Sequence, residues 1–286
     1  MNSVFFDEAL IDRWIAEDAP LLDLTTHVLA VGDAAATMRW RLRGAGVVAC
    51  TEEAARVVQR CGGGARIALP SGARAEAGAL LLHAQGPAEA LLRAWKVVQN
   101  LLESACGIAT ATATMVEAVR AVAPGVAVLT TRKHPPGLKA IALKASLCGG
   151  ALPHRLGVGE TVLVFDQHRA LLGSWAALGA RLRALGHALA EKKIVVEVQT
   201  LDDARQALAA GAEVLQFDKA NPADLRAWST ALRTLSPAVH LLAAGGIGLA
   251  NAAEYAASGV DALVTSSLYH AAPADVGVQL LSGEGD

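Results

Sequence analysis

The sequence predicts a mixed α/β chain, with an α+β unit over roughly its first hundred residues followed by an α/β barrel. Three observations lead there. Early apolar residues alternate with period two, as in an antiparallel strand with one solvated face. Farther on, six short runs of Val, Ile and Leu recur between helical stretches of about ten residues, the rhythm of parallel βαβ units. Ionisable residues stand at the exit of nearly every one of those later strands, where barrel enzymes keep their chemistry.

In chain order, residues 7–16 (DEALIDRWIA) set Leu10, Ile11, Trp14 and Ile15 on one helical face. Over 37–43 (TMRWRLR), Met38, Trp40 and Leu42 face one way while Arg39, Arg41 and Arg43 face the other. A helix is predicted over 52–60, with Thr51 as its N-cap and Glu52 and Glu53 matching the first-turn dipole. Short strands and Gly/Pro turns fill 62–86. From Pro87 a long helical pattern runs to Gly107, which interrupts it, and resumes through IATATATMVEAVRAV. Strands are then predicted at 126–130, 161–165, 193–198, 213–217, 239–243 and 261–265. Their continuous apolar runs fit strands covered on both faces. An open doubly wound sheet would carry its phosphate loop after the first strand. Neither GxGxxG nor GxxxxGK[ST] occurs, so a barrel is the better fit.

Apolar residues make up 53% of the 286 and aromatics only 4%. Much of that share is Ala, which argues for close helix packing. Every apolar run is interrupted before the roughly 18 residues that a membrane span needs. The start of the chain lacks a basic then apolar leader, so a cytoplasmic protein is expected. Cys50, Cys61, Cys106 and Cys148 form no CxxC pair and read as free thiols of a reducing compartment. A net charge of −2 without a long basic run argues against a nucleic-acid surface.

The strand exits carry Thr131-Arg132-Lys133-His134, Asp166-Gln167-His168, Glu197, Asp218-Lys219, Gly245-Gly246 and Thr265-Ser266-Ser267. A Gly-Gly turn leading into a helix, with a Ser/Thr loop after the last strand, is the pattern of a barrel phosphate site. Segment 130–155 concentrates Arg132, Lys133, Lys139, Lys144, His154 and Arg155 without a single acid, which calls for anionic ligands. Glu197 and Asp218 are the counterpart, since two hard carboxylates on adjacent strands can hold Mg²⁺ on a diphosphate. The inventory fits phosphoribosyl pyrophosphate and a carboxylated acceptor, reacting through electrostatic stabilisation of the leaving pyrophosphate.

The strings LLESACGIAT, TTRKHPPGLK, CGGALPHRLGVGETVLVFDQH, VVEVQTLDDA, LQFDKA and AAGGIG resemble, in order and spacing, the quinolinate phosphoribosyltransferases (nicotinate-nucleotide pyrophosphorylases). AWKVVQNLLE, PHRLG and VLVFDQHRA resemble more closely the ModD branch, which is tied by genomic association to molybdate uptake. The resemblance implies an N-terminal α+β sandwich over 1–106 and an incomplete α/β, TIM-like barrel over 107–286, the C-terminal tail being free to return to the first domain. It also implies a homodimer in which one subunit's first domain caps its partner's barrel. By position, Arg132, His154 and Arg155 would hold the acceptor carboxylate. Lys133, Glu197 and Asp218 would serve phosphoribosyl pyrophosphate and its Mg²⁺, and Gly245, Gly246 and Ser266 the 5′-phosphate. Lys96 would reach in from the partner subunit. The chain departs from the family pattern at Lys96 (arginine in the family), Phe165 (lysine), Lys219 (asparagine), Leu242 (glutamate) and Ala244 (serine). An apolar ring at Phe165 would leave a second pyridine carboxylate unpaired, which points to an acceptor with one anionic group fewer than quinolinate.

Besides a quinolinate phosphoribosyltransferase proper, two other readings fit parts of the pattern. One is an aldolase-like barrel using Lys133 as a Schiff-base amine. The other is a non-catalytic molybdate- or nucleotide-binding protein on a transferase fold.

Overall fold

The computed structural model describes residues 4–283. The chain divides into two compact units, one made of Met1–Ala113, His134–Gly150 and Tyr269–Asp286, the other of Thr114–Lys133 and Ala151–Leu268.

In the first unit, helix α1 (Glu8–Asp18) starts at Asp7, whose carboxylate accepts from the Leu10 N–H at 2.6 Å. The short α2 (Leu24–Val28) is capped in the same way by Asp23. Strands β1 (Ala35–Leu42), β2 (Gly46–Val47), β3 (Gly64–Ile67), β4 (Arg74–Ala75) and β5 (Leu80–Pro87) follow. The chain returns here with β13 (Val276–Ser282), which gives a four-stranded sheet in the order β13-β1-β5-β3, every pair antiparallel. Alternation along β1 is as predicted: Met38, Trp40 and Leu42 are buried, while Arg39 and Arg41 take the opposite face.

Against the inner face pack α3 (Thr51–Arg60), the first part of α4 (Ala88–Val122) and α5 (Lys139–Cys148), in one apolar core. Two expectations are corrected. Thr51 is inside α3, not its cap. The residue before it, Cys50, turns left-handed (φ 62°) with no side-chain cap, and the buried Thr51 hydroxyl has no partner. Nor does Gly107 break α4, which runs on unbroken. A Cβ on Gly107 would lie 2.4 Å from the Ala272 carbonyl oxygen, so this glycine permits a close backbone approach. Helix α4 is long and apolar enough to cross a membrane by composition, but 56% of its most apolar window is buried in the fold. All four cysteines are free, Cys50 and Cys106 fully buried.

The second unit is a single parallel sheet. Its strands are β6 (Ala127–Thr130), β7 (Leu152–Pro153), β8 (Val162–Val164), β9 (Ile194–Val198), β10 (Val214–Asp218), β11 (His240–Ala244) and β12 (Ala262–Thr265). The sheet order is β7-β6-β12-β11-β10-β9-β8, and each neighbouring pair is parallel. Among the described residues β7 and β8 are unpaired edges, so the barrel stays open. The six predicted strands all form; the two-residue β7 was not expected. Helices α6 (Asp166–Leu172), α7 (Trp175–Leu185), α8 (Leu201–Ala210), α9 (Pro222–Leu235) and α10 (Ala252–Ala256) make the crossovers. Their boundaries follow local chemistry. Thr200 caps α8 at its start and left-handed Gly211 ends it, while Asn221 caps α9 ahead of Pro222. Leu163, Val195, Val214, Leu242, Ala244, Ala262 and Val264 fill the concave face as one apolar cluster.

Candidate active site

Strand register decides which side chains share the mouth of the barrel. Gln216 on β10 is level with Glu197 on β9 and Leu242 on β11, and Asp218 is level with Ala244. The apolar cluster of Val195, Val214 and Leu242 lies on the concave face, and period-two alternation carries Glu197, Gln216 and Asp218 to that same face. Above this floor the strand-exit loops enclose a cavity of about 380 Å³. Its walls include Arg132, Lys133, His154, Arg155, Phe165, Glu197, Asp218, Gly245, Gly246 and Ser266, each expected at the site from sequence. Lys219 stands elsewhere, and Lys96 was expected only from a partner subunit. Lys96 belongs to the first unit, on α4, where its ammonium donates to Gln99 Oε1 at 3.0 Å. Lys219 is outside the lining; its backbone is left-handed (φ 61°), and its N–H donates to the Ala244 carbonyl.

The phosphate-site expectation is altered in one respect. Gly245 (φ 85°) and Gly246 (φ 73°) make a left-handed turn, but α10 begins only at Ala252, so no helix N-terminus meets the turn. The loops are clamped together instead. The Thr265 hydroxyl donates to the Ile247 carbonyl at 2.6 Å and accepts from the Ser267 N–H at 3.0 Å. Asn251 Oδ1 accepts from the Gly248 N–H at 2.9 Å and holds the loop's far side. Only glycine fits at 245, since a Cβ there would stand 2.5 Å from Asp218 Oδ1.

Charge in the cavity is unbalanced on both sides. Arg155, only 8% exposed, makes no ion pair among the described residues. Its guanidinium lies 5.9 Å from the Phe165 ring centroid, a cation–π contact. Burial, then the nearby Arg132 charge, pulls the Arg155 pKa down, and burial with Arg155 pulls His154 down. Glu197 is displaced the other way. Burial pushes its carboxyl up, the Gln216 amide pulls it back, and the Asp218 charge raises it again. Arg132 and Arg155 thus disfavour one another, as do Glu197 and Asp218, and Lys133 and Glu160 offset these repulsions only in part, so a bound anion with a metal ion would relieve both.

Gln216 was missed from sequence. It is 5% exposed and donates from Nε2 to Glu197 Oε2 at 2.8 Å, with its own Oε1 unpartnered. The signal was present: a lone amide inside the otherwise apolar run VLQF. Asp166 and His168 order the rim. Asp166 pairs with Arg169, and His168 Nδ1 accepts from the Phe165 N–H at 3.0 Å.

Comparison with known families identifies the fold that carries this cavity. Residues 23–106 match the N-terminal domain of quinolinate phosphoribosyl transferase, and residues 108–279 match its C-terminal domain. The chain belongs to the quinolinate phosphoribosyltransferase family. Within that family it is 45% identical over 249 residues to the pyrophosphorylase ModD of Rhodobacter capsulatus, which covers 86% of this chain and 95% of that one. It is 32% identical over 278 residues to the human nicotinate-nucleotide pyrophosphorylase (carboxylating), covering 96% and 92%. Among solved structures, NadC from Streptococcus pyogenes superposes with a TM-score of 0.86 at 25% identity, covering 97% of each chain. The quinolinate phosphoribosyltransferase fold, a separate antiparallel sheet with an open parallel barrel, is therefore the fold of this chain.

Proposed function

We propose that the barrel cavity transfers the phosphoribosyl group of phosphoribosyl pyrophosphate to a heterocyclic carboxylate and releases pyrophosphate. The observation that carries this is the meeting of Arg132, Lys133, His154 and Arg155 with Glu197 and Asp218 in one cavity, beside the Gly245-Gly246 turn and Ser266. In the reaction the C1–O bond to pyrophosphate breaks and pyrophosphate leaves with the electron pair. A lone pair on a ring nitrogen of the acceptor then forms the C1–N bond. Lys133 and the neighbouring guanidiniums offset the charge that gathers on the departing oxygens.

Two neighbouring carboxylates whose mutual repulsion Lys133 offsets only in part fit a Mg²⁺ ion. Among the described residues no three potential ligands cluster, so substrate oxygens would complete its coordination. Glu197 and Asp218 would hold it, and it would supply charge neutralisation on the diphosphate. Arg155, with His154 beside it in the same cavity, offers a partner to the acceptor carboxylate, while Phe165 offers none to a second one. The acceptor is therefore a monoanionic ring acid, and quinolinate itself is disfavoured.

Membership in the ModD branch is supported by the similarity to relatives named ModD, and a link to molybdenum uptake is proposed with it. A non-catalytic molybdate- or nucleotide-binding role is the second reading, supported by the missing second cation at Phe165. One screen separates the two: pyrophosphate release from phosphoribosyl pyrophosphate with Mg²⁺ across pyridine and other heterocyclic carboxylates, beside calorimetry with molybdate. Release with a monocarboxylate supports transfer. Molybdate binding without any release supports the second reading. Homodimerisation, with the partner's Lys96 completing the site, is part of the same proposal and is tested by sedimentation and by mixing Lys96→Ala with Lys133→Ala subunits.

A further inference from the structure

The first unit carries a second charged cavity that phosphoribosyl transfer does not use. It opens on the outer face of the four-stranded sheet and is lined by Arg39, Arg41, Arg66, His83, Gln85 and neighbouring backbone. The strand register explains the grouping. His83 on β5 is level with Arg39 on β1 and with Arg66 on β3, so a guanidinium, an imidazole and a guanidinium stand side by side across three strands. Arg41 stands two residues beyond Arg39 on the same face, and it donates to the Gly78 carbonyl at 3.1 Å. Neighbouring strands are only about 4.8 Å apart, and like charges directly opposite one another are destabilising. No carboxylate lines the cavity among the described residues.

We propose that this face is a binding site for a small multivalent oxyanion of the phosphate class, gripped by Arg39 and Arg66 with His83 between them. Guanidinium forks match the paired oxygens of a phosphate, and two of them from opposite sides favour a compact anion over an extended polymer. His83 supports the assignment. Burial and then the charges of Arg39 and Arg66 hold its pKa below the ordinary imidazole range, and a bound anion would offset the part that the two guanidiniums contribute. The site is independent of the barrel cavity, and so is its test.

The probe is inorganic phosphate, titrated at constant ionic strength into the full chain while the His83 imidazole resonances are followed by NMR, with His83→Gln providing their assignment. The expected result is a saturable shift whose affinity falls at least tenfold in Arg66→Gln and in Arg39→Gln, and is unchanged in Lys133→Gln. The substituted side chains lie on the outer sheet face, and circular dichroism melting checks that each variant is folded. A response that is linear in phosphate overturns the proposal. So does one that persists in both arginine variants, or one that vanishes in Lys133→Gln, which would assign the phosphate to the barrel.

Discussion

Gln216 and Glu197 face each other in register on adjacent parallel strands, and the amide of the first donates to the carboxylate of the second at 2.8 Å. Burial pushes Glu197 up and this bond pulls it down. If Glu197 must be ionised to hold the metal, transfer rises with pH through its pKa. Gln216→Met removes the opposing bond, so the acid limb of the pH–rate profile moves to higher pH while the plateau is largely retained. A limb that stays in place would show that the amide has no hold on this carboxylate.

On the proposed function, Phe165 limits the number of anionic groups that the acceptor can carry. Phe165→Lys puts an ammonium where the ring now packs against Arg155. Quinolinate-dependent pyrophosphate release should rise at least tenfold, the effect of about 1.4 kcal/mol from a new charge-assisted hydrogen bond. Steady-state rates with quinolinate and with a pyridine monocarboxylate check it, and the monocarboxylate rate should fall or hold.

Gly245 protects Asp218. A methyl group at 245 would meet Asp218 Oδ1 at 2.5 Å and would also strain a left-handed backbone. Gly245→Ala should lower the affinity for phosphoribosyl pyrophosphate with Mg²⁺ by roughly tenfold or more, at a stability loss of about 1–2 kcal/mol. Calorimetry and urea unfolding separate the two effects.

In the first unit a buried ammonium bridges two acids. Lys144 Nζ lies 2.9 Å from Glu52 and 2.6 Å from Glu53, its side chain 2% exposed. Burial alone would raise Glu52, but hydrogen bonds from Ser71 and Lys144 outweigh it and bring the carboxyl down to about 2. A carboxyl lowered in the folded state stabilises fully above its unfolded pKa, and that contribution is lost as pH falls toward the folded value. Urea midpoints should therefore drop between about pH 5 and 2, and drop less steeply in Glu52→Gln. Lys144→Ala strands Glu53 in the core and should cost about 3–5 kcal/mol at neutral pH.

The barrel strands were legible because each is a continuous apolar run ended by a polar exit, and a parallel sheet covered on both faces imposes that pattern. The mouth was legible for the same reason. What escaped was settled by distant neighbours. Gly107 reads as a helix break, yet the Ala272 carbonyl approaches it across the fold. Thr51 reads as a cap until Cys50 takes the left-handed turn. Gly245-Gly246 reads as the approach to a helix that begins only at Ala252. Gln216 looks like a tolerated polar residue until register sets it against Glu197. Leu152–Pro153 is too short a strand to leave a period.

The pairing of β13 with β1 joins residues far apart along the chain, as in Met38 with Leu280. Closing so long a loop is entropically slow, and β1 cannot gain this neighbour during synthesis until residue 282 has left the ribosome. Until then one edge of β1 presents unpaired amides and carbonyls, an open template for another nascent copy. The first unit is thus begun early, and the barrel strands have all been made before its sheet gains β13.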